Sequence, residues 1–283
     1  MGKIGYVVCG NSGIDYIDHP YDIRVFRSQL LVGDKEYTDF IDIKADAFYT
    51  MIKENPDLHP TTAQTATGVM LETYEAMRDE GYEAIVVVTI SSKLSGTYEG
   101  AQMAANMVEN VNVSVFDSKT VGYNEAHMIL EAARLGEKGK SVTEILDHLN
   151  WIRENQGLLI SVDTLKYLVK NGRLSGASGF LGSFLKIKPM LMLSREGKVE
   201  PVEKIRTRQK AIDRVIEKFV HEFYDDAMEV FIIHANAFDM LEEVRERLTS
   251  AIKQSTIKDY PLTPVVGAHA GYGALAIGWV RKK

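Results

Sequence analysis

Ala84-Ile85-Val86-Val87-Val88-Thr89-Ile90-Ser91-Ser92-Lys93-Leu94-Ser95-Gly96-Thr97-Tyr98 is the stretch from which the fold can be read. Ala84–Ile90 is a continuous β-branched run, the pattern of a strand covered on both faces. The hydroxyl-rich segment that follows opens a helix over Gly96–Val108. A strand feeding directly into a helix is half of a parallel β-α-β unit.

The same alternation extends to either side. Upstream, Ile4–Cys9 reads as a buried strand closed by Gly10-Asn11-Ser12-Gly13, and Val25–Val32 reads as a second strand. Helices are expected over Asp46–Glu54 and Thr67–Asp79, the latter with Val69, Leu71, Tyr74 and Met77 near helical spacing. Downstream come strand Val111–Phe116 and helix Thr120–Gly136. The first half is therefore expected to be an α/β layer with a parallel sheet. The second half changes character. Helix Thr143–Asn155 precedes strand Gly157–Val162, and Asp163 is placed to cap a helix over Thr164–Lys170. Pro189–Leu193 and Lys198–Arg206 flank Arg195-Glu196-Gly197 as a β-hairpin. Helices Gln209–Phe223 and Phe238–Gln254 enclose strand Glu229–His234. Val265–His269 and Leu275–Val280 are expected to end the chain as strands around a glycine-rich turn. A boundary near Asn155 divides the chain into residues 1–155 and 156–283, two domains for a length of 283 residues.

Composition narrows the function classes. With 45% hydrophobic and 25% charged residues the chain has the ordinary mix of a soluble globular protein. A net charge of -6 lacks the broad positive field that nucleic acid requires. Cys9 is the one cysteine, so no disulfide forms within the chain, which suits a cytoplasmic location. It is expected as a small buried core residue. No apolar run approaches the length of a membrane span. The histidines show no metal-ligand spacing, and neither a metal nor a cofactor is expected. No P-loop, nucleophile elbow or dinucleotide fingerprint is present.

Five clusters carry polar chemistry. Ser91, Ser92, Ser95 and Thr97 lie beyond the most buried strand, where parallel sheets bind ligands and where helix N–H groups are free. They suit an anion, but spacing alone favours plain N-capping. Pro60-Thr61-Thr62-Ala63-Gln64-Thr65 offers further hydroxyls, or simply a capped loop. Gly267-Ala268-His269-Ala270-Gly271-Tyr272-Gly273 permits close ligand approach with His269 as donor, or a tight hairpin with a satisfied histidine. Arg173 follows a helix C-terminus, where a cation complements the dipole. Val202, Lys204, Arg206 and Arg208 alternate along a strand and suit an acidic partner or a solvated edge.

Taken in order, these pieces resemble the DegV family of bacterial fatty-acid-binding proteins, over nearly the whole chain. Ser91-Ser92-Lys93-Leu94-Ser95-Gly96-Thr97-Tyr98 fits the family's Ser-Ser-x-Leu-Ser-Gly-Thr-Tyr. Asp117-Ser118, Gly172-Arg173-Leu174-Ser175, Ile187-Lys188-Pro189 and Lys204-Ile205-Arg206 fit further family segments. The resemblance implies a two-domain DegV-like fold with a ligand tunnel at the domain interface. It implies a non-catalytic carrier that holds a long-chain fatty acid and presents the carboxylate to a partner fatty acid kinase. By motif, Thr62 and Ser92 are the carboxylate-binding hydroxyls, with Ser91 beside Ser92, and Ser95, Arg173 and His269 complete the ligand site. Arg206 lies on the expected kinase face, and a monomer is expected. Asn11, Ala63 and Tyr272 depart from the family pattern, as does Asn171. Two other readings are a serine hydrolase pairing Ser92 with His269, and a carrier of a different small amphiphile.

Overall fold

A computed structural model describes residues 2–176 and 187–283. The first half contains β1 (Ile4–Cys9), β2 (Ile23–Phe26), β3 (Gln29–Val32), β4 (Lys35–Thr38), α1 (Ala45–Glu54), β5 (Thr61–Ala63), α2 (Thr67–Asp79), β6 (Ala84–Thr89), α3 (Thr97–Met107), β7 (Asn112–Asp117), α4 (Tyr123–Glu137) and α5 (Val142–Glu154). Strands β2-β1-β6-β7 pair in parallel, in that order. The side-chain period of two sorts the central strands between two cores. Val7, Ile85 and Val87 meet Met70, Tyr74 and Met77 of α2 and Ala101 and Ala104 of α3. Tyr6, Val8, Val86 and Val88 face the opposite way, toward Ala126, Met128, Ile129 and Ala132 of α4. Each such aliphatic side chain contributes roughly 1.5–3 kcal/mol when fully buried. Helix α5 packs on α4 and starts at a capping box between Ser141 and Glu144.

The second half contains β8 (Gln156–Ser161), α6 (Lys166–Lys170), β9 (Met190–Leu193), β10 (Val199–Glu203), α7 (Arg208–Lys218), β11 (Met228–His234), α8 (Phe238–Ala251), β12 (Lys258–Pro261), α9 (Pro264–Ala270) and β13 (Leu275–Arg281). Its sheet has six strands in the order β10-β9-β8-β13-β11-β12, antiparallel except for the β11–β12 pair. One face is covered by Ala211, Ile212 and Val215 of α7 and by Val244 and Leu248 of α8. The other face adds Leu158, Phe231, Ile233 and Ala276 to the core that already holds α4. That helix is thus apolar toward two sheets at once. At its start Tyr123 stacks on Tyr260 with ring centroids 3.6 Å apart, and Asn124 donates to the carbonyls of Gly157 and Trp279 at 3.3 Å.

Four expectations change. Val25–Val32 is not one strand: it breaks at Arg27-Ser28 into β2 of the parallel sheet and β3 of a separate antiparallel sheet, β4-β3-β5. Arg27 is fixed there by two 2.6 Å hydrogen bonds to the Asp15 carboxylate, and its carbonyl accepts from the Thr65 hydroxyl at 2.8 Å. Val265–His269 is a helix, α9, despite its valines. Pro264 pre-sets the first turn, and Gly271 at φ +80° ends it, with Tyr167 too close to admit a side chain there. Asp163 does not cap α6. The Thr164 hydroxyl accepts from the Lys166 N–H, and the Asp163 carboxylate lies 3.6 Å from Lys188 and 3.4 Å from Arg208. The expected helix Gln209–Phe223 becomes a π-turn after Lys218. Cys9 is buried as expected.

Beyond the end of β1, Glu125 in the first turn of α4 is fully buried and accepts a 2.6 Å hydrogen bond from the Asn11 amide. Burial holds its carboxyl well above the usual range, and donors from Asn11 and Cys9 offset this only in part. In the unfolded chain the same group ionises normally, so folding becomes less favourable as pH rises from the ordinary carboxylate range toward the folded value. Glu125→Gln keeps the acceptor and removes the titration. Urea unfolding near pH 5 and pH 8 should show the unmodified chain losing more stability than the variant across that interval; equal losses would contradict a neutral Glu125. In the six-stranded sheet, Gly278 faces Phe231 so closely that an added Cβ would lie 2.2 Å from the ring. Gly278→Ala should lower the unfolding free energy by about 1–3 kcal/mol, read as a lower urea midpoint at constant slope.

Candidate functional site

A cavity lies past the carboxyl ends of the parallel strands, against the inner face of the six-stranded sheet. About 240 Å³ is open to the centres of water molecules, where a single water needs roughly 10–15 Å³ by that measure. The parallel-sheet side contributes Ile90, Leu94 and Val121, and the other sheet Leu158, Ile160, Leu191 and Ile233. Helix α9 adds Val265, Val266 and Ala270. The walls are therefore aliphatic over most of their length, as a ligand pocket for an apolar body requires.

Polar groups gather at one end. Strand β5 pairs with β3, Thr62 opposite Leu30, which fixes Thr62 in the wall. Its Oγ1 lies 2.9 Å from Nε2 of His269 on α9. Burial, then the charge of Arg173, then His59 lower the His269 pKa to about 4, so the ring is neutral near pH 7. Its Nδ1 is buried without a hydrogen-bond partner. Arg173 lines the same end and is oriented by donating to the carbonyls of Leu94 at 3.2 Å and Asn171 at 2.5 Å. Ser95 also lines it, with its hydroxyl 2.8 Å from that of Thr97. Asn171 ties the parts together, its amide donating to the carbonyls of Pro60, before β5, and Ala268, in α9. Ala63, Gln64 and Gly96 of the lining are exposed, so the polar end reaches the surface. One cation, a neutral imidazole and hydroxyls can receive an anionic head group while the aliphatic walls receive its tail.

Of the residues singled out from sequence, Thr62, Ser95, Arg173 and His269 are brought together. Ser91 and Ser92 are not among the cavity residues. The Ser92 N–H and hydroxyl both bind the Asp117 carboxylate, at 3.1 and 2.7 Å, and the buried Ser91 hydroxyl donates to the Gly197 carbonyl at 2.8 Å. These serines fasten the β6–α3 loop to β7 and to the β9–β10 turn. The Ser92–His269 pairing that a hydrolase needs is not formed. Arg206 is exposed and lies outside the cavity. Sequence reasoning missed Asn11, Ser28 and Gln64 as cavity residues. Asn11 had been singled out only as a departure, and Ser28 was hidden inside an expected strand. Nearby, burial raises the Asp39 carboxyl to about 7, although Arg27 pulls it back.

Comparison with known proteins agrees with this architecture. Residues 15–282 match the DegV family model, described as "Uncharacterised protein, DegV family". A DegV domain-containing protein of Halalkalibacterium halodurans is 34% identical over 262 residues, 92% of each chain. One from Staphylococcus aureus is 36% identical over 273 residues, 95% of this chain and 93% of that one. The crystal structure of DegV from Bacillus subtilis, described as a fatty acid binding protein, superposes with a TM-score of 0.86 at 30% identity over 100% of both chains. A fatty acid binding DegV family protein from Streptococcus agalactiae does so with a TM-score of 0.91 at 25% identity, again over 100% of both. Among the described residues no helix is long and apolar enough to cross a membrane. With a match running from residue 15 to residue 282 and the same fold throughout, this chain belongs to the DegV family.

Proposed function

We infer that the chain binds one long-chain fatty acid in this cavity, between an N-terminal unit (1–155) and a C-terminal unit (156–283), and performs no chemistry alone. The observation that carries the reading is an aliphatic cavity with a single polar end, where Thr62, His269, Ser95 and Arg173 converge. The Bacillus subtilis relative described as fatty acid binding supports it. Each buried methylene contributes roughly 0.8 kcal/mol, so the tail supplies affinity and the polar end fixes direction. Arg173 supplies the counter-charge. A neutral His269 leaves Arg173 as the one formal charge that the described lining residues offer to the carboxylate, which limits the desolvation that a second buried ion would add.

The carboxylate would lie where Ala63, Gln64 and Gly96 open to the surface. That placement suits presentation to a fatty acid kinase, with the exposed Arg206 on the partner face. In this role the chain is the carrier and the partner supplies the phosphoryl transfer.

Native mass spectrometry of the purified chain, followed by extraction of any lipid, tests the reading directly. A stoichiometric long-chain fatty acid is expected; a chain that is empty and refuses added palmitate or oleate would overturn it. Thr62→Val combined with Ser95→Ala should weaken fatty acid binding by roughly tenfold or more, the usual cost of losing hydrogen bonds to a charged group. Its circular dichroism should stay unchanged. Leu158 closes the cavity where a second pocket begins. Leu158→Ala should therefore shift the bound population toward longer chains, read in the same extraction experiment, and an unchanged lipid profile would place the tail elsewhere.

A further inference from the structure

A second pocket opens where β8 begins and β13 ends, with about 320 Å³ open to the centres of water molecules. One side of it is aromatic: the half-buried Phe223 stacks on the buried Trp279 with centroids 4.9 Å apart and planes 29° from parallel. Its lining carries four cations, Lys119, Arg153, Arg195 and Arg281, against two acids, Glu154 and Glu222. An excess of positive charge is concentrated here on a chain whose net charge is -6.

The local pairing leaves several of these donors open. Arg281 is committed to Asp225, and Glu222 is held by Lys218 at 2.5 Å. Arg153 donates to the Asp117 carbonyl at 3.1 Å and to Asn150 at 2.7 Å. Its Nε is buried without a hydrogen-bond partner, and the Glu154 carboxylate stands off at 3.9 Å. Among the described residues, the Lys119 ammonium and the Arg195 guanidinium form no side-chain hydrogen bond or ion pair. A buried donor left open costs free energy that an incoming acceptor recovers. Cations lining one concave site suit a compact anion, which can accept charge-assisted hydrogen bonds from them. An acidic peptide would need them in an extended row. An aromatic wall beside them suits a flat ring, since base stacking on aromatic side chains is favourable for every base.

We propose that this pocket binds a nucleoside phosphate, with the phosphate on Lys119, Arg153 and Arg195 and the base against Phe223, which rests on Trp279. Among the described residues, Leu158 alone lines both this pocket and the aliphatic cavity, so the proposal stands apart from the fatty acid reading. Trp279 is one of two tryptophans, and Trp151→Phe makes it the sole tryptophan of the full chain, so selective tryptophan excitation reports on it. Titration of that chain with AMP should give saturable, salt-sensitive quenching. Ribose 5-phosphate should bind more weakly, and inorganic phosphate more weakly still. Arg195→Glu and Lys119→Gln should each weaken AMP binding about tenfold or more. Phe223→Leu should weaken AMP while leaving inorganic phosphate unchanged. Unchanged lipid retention in all three variants would show that the fold is intact. No saturation by AMP, or saturation indifferent to Arg195→Glu, would overturn the proposal. Equal binding of AMP and ribose 5-phosphate would overturn the nucleoside assignment.

Discussion

Helix α4 has to satisfy two sheets at once, and the rest of the molecule is arranged around that demand. Its residues Ala126, Met128, Ile129, Ala132 and Ala133 are all fully buried or nearly so. Small side chains let the parallel sheet and the six-stranded sheet approach from opposite sides. The helix begins only at Tyr123, however, and among the described residues a cavity is left between the sheets ahead of it. The cavity occupies that space, at the carboxyl ends of the parallel strands where open α/β sheets leave a crevice. Asn124 and Glu125, in the first turn, close the gap with hydrogen bonds to β8 and β13 and to Asn11.

The electrostatics of this region depend on keeping charges few. Desolvation pushes the Glu125 carboxyl well above the usual range, keeps His269 neutral near pH 7 and raises Asp39 to about 7. Arg173 remains as the charged group of the polar end. A site built from many charges would pay a desolvation cost for each ion. A site built from one cation, hydroxyls and an imidazole can bind an anion, and the long aliphatic wall contributes most of the affinity.

The serines after β6 show how one motif can serve several partners. Ser91, Ser92 and Ser95 occupy one turn, and each was a reasonable partner for an anion. Their hydroxyls diverge in the folded chain: Ser91 reaches the β9–β10 turn, Ser92 reaches Asp117, and only Ser95 lines the cavity. The first two hold in place the loop that carries Leu94 and Ser95 into the wall. The partners that decide this, Asp117 and Gly197, lie 25 and 106 residues away along the chain.

The sequence by itself determined the parallel sheet, because Ile4–Cys9 and Ala84–Val88 lack polar alternation and such runs suit a strand covered on both faces. It also determined most helices through their 3.6-residue periodicity, and it singled out Thr62, Ser95, Arg173 and His269 while leaving capping and turn roles open for them. Tertiary structure decided what local pattern left degenerate. The valines of α9 favour a strand in isolation, but packing beneath β3 and β5 with Pro264 at the first turn makes them a helix. The three-residue strand β5 has no periodicity to detect, and exists because β3 pairs with it. Asn11, Ser28 and Gln64 became cavity residues only when distant segments met, since burial and hydrogen-bond partners across the chain are properties of the fold and not of any window of sequence.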